Sequence, residues 1–314
     1  MNTFSKYLFS AILLLCVQGV PLAQQLADKT FRHSIAKPSY ASGQGSLVLI
    51  DEAHHNFHKL DGRFYAFAQL LRDDGYVLRA NQQSFTKQKL DKCKILVIAN
   101  AIHPKNQGTW ALPAYSAFTN EEIKAIKQWV YQGGRLLLIA DHMPFPGAAY
   151  DLAKTFGFEM NNGFARRIIK KGERRKLDRF NRQAKTLKNH AITNGVGKQD
   201  KINEIISFTG QAFKPPTDAK PLIVFPKGYE TLMPDTAWAF RPHTKRLPID
   251  GWVQGATLEY GKGRMVVFGE AAMFTSQEVN RNGRKFRFGM SHPQAKQNPQ
   301  FVLNVIRWLD GKLE

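Results

Sequence analysis

Residues 46–62 read SLVLIDEAHHNFHKLDG. Leu47 to Ile50 form an unbroken apolar run, the pattern of a strand covered on both faces of a parallel sheet. Two carboxylates and three imidazoles follow within Asp51–His58. The next stretch, DGRFYAFAQLLRDDGY (61–76), places Phe64, Phe67, Ala68 and Leu71 at helical spacing and reaches a helix-ending glycine at Gly75. A buried strand, a polar turn and an amphipathic helix make the first half of a βαβ unit.

The pattern recurs downstream. KILVIANA (94–101) is a second strong strand, and FTNEEIKAIKQWVYQGG (118–134) predicts a helix. In that helix Thr119 and Glu122 have the spacing of a capping box, Ile123, Ile126 and Val130 make the apolar stripe, and Gly133 supplies the stop. RLLLIADH (135–142) is a third buried strand, with a helix expected over AAYDLAKTFGF (148–158). GATLEYGKGRMVVFGEAAMF (255–274) gives a strand, a turn at GKG and another buried strand from Met265 to Phe268. NPQFVLNVIRWLDG (298–311) closes the chain with a helix, Asn298 as its N-cap, Pro299 in its first turn and Gly311 at its end. Strands alternating with helices at these spacings predict an α/β fold with a doubly wound parallel sheet.

The middle of the chain differs. Between Gly163 and His190 there are eleven basic and two acidic residues and no sustained apolar period, so this stretch reads as a surface insertion or mobile loop. Pro215, Pro216, Pro221, Pro226 and Pro234 then indicate short strands and turns. The whole chain carries a formal net charge of +20. A basic surface of this kind would suit an anionic envelope component, such as a phosphate-bearing glycolipid, anionic lipid or acidic polysaccharide, or would simply keep the protein soluble. Few aromatics interleave with the cations and no nucleic-acid motif appears, so no specific nucleic-acid partner is expected.

The N-terminus reads as an export signal over residues 1–23: Lys6, then the apolar YLFSAILLLCV (7–17), then a small residue at Ala23 for cleavage. The apolar run is short for a membrane span, and the three leucines before Cys16 do not match a lipoprotein box. A periplasmic or secreted location follows, with residues 24–44 as a linker and 45–314 as one α/β domain. Loss of residues 1–23 leaves only Cys93, which excludes an intramolecular disulfide and reads as a packing residue.

In open parallel α/β sheets, ligands bind beyond the carboxyl ends of the strands. Those positions hold Asp51, Glu52, His54, His55 and Asn56 after the first strand and Asn100 and His103 after the second. Asp141 and His142 follow the third, and Glu270 the last. The set has both carboxylates and imidazoles, as zinc, manganese or iron accept, and a bound metal would activate water for hydrolysis. Asp51, His54 and Asp141 are the expected metal ligands and Glu52, Asn56 and His142 the ligand-binding groups. Glu270 or His55 would be the catalytic base. There is no HExxH motif or cysteine pair, so capping and internal hydrogen bonding stay open as the alternative. His33, His58 and His243 read as surface histidines. Trp110, Trp129, Trp238, Trp252 and Trp308 suit either core or interface.

The order SLVLIDEAHHN, LVIANA, FTNEEIKAIKQWVYQGGRLLLIADH, GKGRMVVFGEAAMF and NPQFVLNVIRWLDG resembles the class I glutamine amidotransferase-like superfamily. Within it, the chain is similar to an uncharacterised branch of exported bacterial proteins, a domain of unknown function related to domains of gliding-motility transporter auxiliary proteins. The resemblance spans roughly residues 45–160 and 250–312 and leaves out the basic middle. It implies a flavodoxin-like three-layer sandwich with a mostly parallel sheet. It does not bring thiol chemistry with it: the strand end that would hold a cysteine nucleophile reads IADHMPFPG (139–147), and Cys93 lies at the start of a strand. The resulting expectation is a protein that binds a small polar ligand or a divalent metal at the carboxyl edge of its sheet, with metal-dependent hydrolysis as the possible reaction. The rival expectation is a non-catalytic envelope scaffold that docks through its basic surface. Oligomeric state is not fixed by the sequence.

Overall fold

The computed structural model describes residues 25–174, 176–281 and 284–314. The export signal expected over residues 1–23 lies outside the described residues.

The fold is a mixed α/β arrangement around a nine-stranded sheet. Its strands are β1 (Leu47–Asp51), β2 (Val77–Asn81), β3 (Ile95–Ala99), β4 (Arg135–Ile139), β5 (Glu159–Met160), β6 (Phe213–Lys214), β7 (Lys220–Val224), β8 (Val253–Tyr260) and β9 (Gly263–Phe268). They lie in the order β2-β1-β3-β4-β9-β8-β6-β5, with β7 also paired to β8. The first five in that order are parallel, and β8, β6, β5 and β7 pair antiparallel. The expectation of a mostly parallel sheet therefore holds for one half only. The other half is built from short strands of the proline-punctuated middle and from the β8–β9 hairpin, whose two-residue turn permits only antiparallel pairing.

The four longest helices among the described residues cover this sheet: α1 (Tyr65–Asp73), α2 (Asn120–Tyr131), α3 (Phe145–Lys154) and α4 (Asn298–Asp310). Alternate strand residues point to opposite faces. Val48, Ile50, Ile95, Val97, Leu137 and Ile139 join one core with Phe67 of α1 and Phe301 and Ile306 of α4. Leu96, Ile98, Leu136 and Leu138 join a second core with Ile126 and Val130 of α2 and Leu152 of α3. Thr119 and Glu122 form the capping box at the start of α2, which is worth about 1 kcal/mol. Asn298 is not the cap of α4. Gln297 holds that position, while the Asn298 amide accepts from the Ile206 N–H at 3.0 Å and donates to the Ile206 carbonyl at 2.8 Å.

The basic stretch 163–190 is not a loose loop. Phe164–Arg167 pairs with Tyr229–Met233, which pairs with Lys245–Pro248; Asp178–Asn181 pairs with Glu204–Ser207. Phe164, Phe180 and Leu187 are buried. These three are scattered among cations, too sparse for a period, yet each fills a core site once the partner strands arrive, whereas Ile168 and Ile169 stay exposed. The expected linker likewise contains a strand, Gln25–Ala27, paired with Ser276–Arg281, which pairs in turn with Arg284–Gly289.

Candidate functional site

Strands β4 and β9 are parallel neighbours, with Ile139 beside Phe268. Two residues further along each chain, Asp141 and Glu270 stand at the same level beyond the strand ends. Glu270 is 0% exposed, with Oε1 accepting from the Ala272 N–H at 2.9 Å and Oε2 from the Met273 N–H at 2.8 Å. Burial, reinforced by the charge of Asp141, nevertheless pushes its carboxyl well above the usual range. Burial also raises Asp141, against the opposing pull of His142, the His142 and Ala271 amides and the Asn100 side chain. Two interacting carboxyls in one buried place titrate as a unit, and the first proton stays on the pair past the normal carboxylate range.

These groups open into a cavity of about 740 Å³. Asn100, Asp141, His142 and Glu270 line it on the sheet side. Phe57, Trp110, Phe145 and Trp238 form much of its wall, and Phe208 and Phe288 add two further rings. The His142 ring stacks on Phe164 at 4.6 Å, meets the Trp238 edge at 4.6 Å and has Nδ1 2.8 Å from the Met143 carbonyl. That carbonyl can only accept, so Nδ1 is the donor of this bond. Asn100, Trp110 and Trp238 have φ of 48°, 46° and 68°. A left-handed backbone at a bulky side chain costs on the order of 1–3 kcal/mol, and such strain gathers at functional sites.

Part of the cavity's enclosure comes from segments without an α/β signature. The strand of Phe164 and the loop carrying Trp238 lie against His142. Gln25 of the N-terminal strand and Gln277 and Phe288 of its partner hairpin lie in the wall as well. Arg63 and His58 complete it. Sequence reasoning missed both, and it missed Trp110 and Trp238. Their one signal is position, since His58 and Arg63 fall in the turn after β1. His58, expected at the surface, is buried under the Phe57 and Phe64 rings, and burial lowers its pKa to about 3.

Of the expected site residues, Asp141, His142 and Glu270 meet in the cavity and the others do not. Asp51 and His54 form a separate buried network. His54 Nδ1 lies 2.9 Å from Asp51 Oδ2, its Nε2 2.9 Å from Glu122 Oε1, and Asn56 Nδ2 donates to Asp51 at 3.0 Å. Burial opposes a charge on His54, but Asp51 and Glu122 outweigh it and hold the imidazole above its usual range. Glu52 accepts from the Leu60 N–H at 2.7 Å and shapes the turn. His55 is exposed, at φ 48°, and lies outside the cavity wall.

The expected metal set is thereby divided. Asp51 and Asp141 end strands two places apart in the sheet, roughly 10 Å at the usual strand spacing. A ring whose opposite nitrogens each face a carboxylate cannot converge with both on one ion. Among the described residues, no group of three or more His, Cys, Asp or Glu side chains could hold a metal ion.

Cys93 is buried, and burial pushes its thiol up to about 12, which suits packing rather than nucleophilic chemistry. Among the described residues, no helix is long and apolar enough to cross a membrane. In the basic stretch, Arg166 pairs with Glu230 at 2.8 Å, Arg167 with Glu173 at 2.6 Å, and Arg179 with Glu204.

No protein-family model matches the sequence, and neither does any curated protein. Solved structures do match. The chain overlays the mmIFT52 N-terminal domain with a TM-score of 0.58 at 15% identity, over 84% of this chain and 97% of that one. A ThuA-like protein from Bacteroides uniformis gives 0.44 at 12% identity, over 88% and 94% of the two chains. A cytoplasmic protein from Salmonella typhimurium gives 0.48 at 15%, over 84% and 98%. At this level of identity the likeness to the mmIFT52 domain is one of fold.

Proposed function

We propose that this protein binds a small polar organic molecule in the cavity beyond β4 and β9, and that Asp141 and Glu270 recognise it and exchange a proton with it. The observation that carries this reading is a buried pair of carboxyls, Asp141 and Glu270, in the wall of an aromatic-lined cavity. An aromatic wall with a few convergent polar groups is the usual make-up of a small-molecule site, and perturbed titration marks groups placed for chemistry. Glu270 would enter as the acid and Asp141 as the base, so any turnover would be acid–base chemistry carried by the chain's own residues.

The amidotransferase-like relationship belongs to the same proposal. Its support is the order β2-β1-β3-β4-β9 of the parallel strands, which is the flavodoxin-like order, with the site beyond their carboxyl ends. Export is proposed from residues 1–23 alone, and the mass of the N-terminus of the protein purified from its native host tests it. The rival docking role has less support, because Arg166, Arg167 and Arg179 are engaged within the protein.

The test is a melting and tryptophan-fluorescence screen of neutral and acidic monosaccharides, sugar phosphates and hydroxy acids, since Trp110 and Trp238 line the cavity. A ligand at a hundredfold saturation adds about 2.7 kcal/mol of stability. The D141N and E270Q variants should lose that gain. Binding that survives unchanged in both sinks the reading.

A further inference from the structure

Two polar side chains in the cavity wall are not accounted for by the carboxyl pair. Arg63 reaches Gln25 Oε1 at 3.3 Å and Gln277 Oε1 at 3.4 Å, and its guanidinium carbon lies 4.0 Å from the Phe57 ring centroid. Both contacts are long, both acceptors are neutral, and both use the same nitrogen. A guanidinium carries five N–H donors in a planar fork, so most of Arg63 is left for another acceptor. Among the described residues, no carboxylate stands within ion-pair distance of it. His58 is the second group. It is 3% exposed, and its Nδ1 has no hydrogen-bond partner among the described residues. Buried polar atoms are nearly always paired, and an unpaired one costs about 1–3 kcal/mol. The cavity wall thus holds a cation with no carboxylate partner among the described residues and a histidine with an unsatisfied ring nitrogen.

We propose that Arg63 and His58 form an oxyanion subsite of this cavity, which takes the carboxylate or phosphate group of its ligand. This deepens the reading of the cavity as a small-molecule site and rests on it. The guanidinium supplies charge and a two-pronged donor. His58, kept neutral by burial, adds a hydrogen bond from Nδ1–H without setting a second positive charge beside Arg63. The rings of Phe57, Trp110 and Trp238 then cover the apolar faces of the ligand, while Asp141 and Glu270 meet its hydroxyl or amino groups. The ligand class that satisfies all of these is a hydroxylated organic acid or its phosphate, such as an acidic sugar or a sugar phosphate.

The first probe is inorganic phosphate, titrated into the full chain while the ring-nitrogen signal of His58, assigned with H58Q, is followed by NMR. A saturable shift in the millimolar range is expected. R63Q should weaken it about tenfold or more, and R63K should fall between, because an ammonium keeps the charge and loses the fork. Absence of a saturable shift overturns the subsite, and so does an unchanged affinity in R63Q with the fold intact by near-ultraviolet circular dichroism.

Glucose 6-phosphate is the second probe. Affinity at least about tenfold above that of phosphate assigns the anion to an organic ligand whose body lies on the aromatic wall. Equal affinity assigns the subsite to a free inorganic anion. The titration reads Arg63 and His58 only, so its failure is separate from that of the carboxyl-pair reading. Phosphate binding without any Asp141- or Glu270-dependent ligand leaves the subsite standing and removes the other. Ligand binding that depends on the carboxyls, with no response to phosphate, does the reverse.

Discussion

His54 Nε2 stands 2.9 Å from Glu122 Oε1, so the turn after β1 is pinned to the first turn of α2 across 68 residues of chain. Glu122 serves two structures at once. Its Oε2 closes the capping box with Thr119, and its Oε1 accepts from the Phe85 N–H at 3.0 Å as well as meeting His54. Burial works against the charge on Glu122, but the Thr119 and Phe85 amides and then His54 more than offset it and hold the carboxyl below its usual range.

Removing one partner of a buried charge network strands the others, at a cost of about 3–5 kcal/mol. His54→Ala should lower stability by roughly that amount, measured by urea unfolding at pH 6. Ligand binding in the cavity should be unaffected wherever the variant is folded, because His54 is not part of its wall. A loss under 1 kcal/mol would place this network with surface ion pairs.

The two buried histidines oppose each other in pH dependence. His54 has a raised pKa, so its contribution is fully present below the unfolded value of about 6.5 and fades as pH rises through the folded value. His58 is depressed to about 3, so the folded state resists a proton that the unfolded chain takes up below about 6.5. His58 should therefore lower stability on the acid side by up to about 1.4 kcal/mol per pH unit, and the contribution of His54 should be lost as pH rises through its folded value. Unfolding free energies from pH 4 to 9 check this. H58Q should flatten the acid limb, and H54N should flatten the alkaline limb while also weakening the acid-side contribution of Glu122, whose carboxyl His54 helps to hold down.

The coupling of Asp141 to Glu270 has a direct readout. Glu270 owes part of its raised pKa to the charge of Asp141, so D141N should move its titration downward toward the carboxylate range, leaving only the contribution of burial. Carbon-13 NMR of labelled glutamate side chains follows this. An unmoved Glu270 titration would show that burial alone sets the value.

Asn100 supports Asp141 from the neighbouring strand end. Its Oδ1 accepts from the Asp141 N–H at 2.9 Å, and its φ of 48° suits asparagine better than most residues. Asn100→Ala loses a buried hydrogen bond and strains the turn, for a cost of about 2–3 kcal/mol in chemical denaturation. The pKa of Asp141 should rise further, since the Asn100 side chain helps to hold it down.

Deleting residues 166–188 would not isolate the role of the basic stretch. Phe180 and Leu187 pack in the main core, and truncating such residues costs about 2–5 kcal/mol each, so the deletion should unfold the protein. Replacing the exposed Lys170, Lys171, Arg174 and Lys176 by serine should stay within about 0.5 kcal/mol per site in thermal melts and reduce only salt-dependent adhesion to anionic surfaces.

The sequence by itself determined the elements of the parallel half of the sheet, its helices and one edge. Unbroken apolar runs such as Leu136–Ile139 and Met265–Phe268 require cover on both faces, and the capping box and Gly311 mark helix ends through local hydrogen bonds and backbone freedom. That logic is contained within a few residues, so it is legible in a single chain. Only the tertiary structure decided which strand ends share a space. β4 and β9 are adjacent although 123 residues separate Ile139 from Gly263, whereas β1 lies two places from β4. Asp141 and Glu270 thus meet, while Asp51 and His54 are drawn off to Glu122 by a contact with no sequence period. The aromatic wall and the Arg63–His58 pair were hidden for the same reason. Phe57, His58 and Arg63 lie in the turn after β1, Trp110 and Trp238 in loops, and Phe288 in a strand paired with Ser276–Arg281, so their meeting in one cavity is set by partners far along the chain.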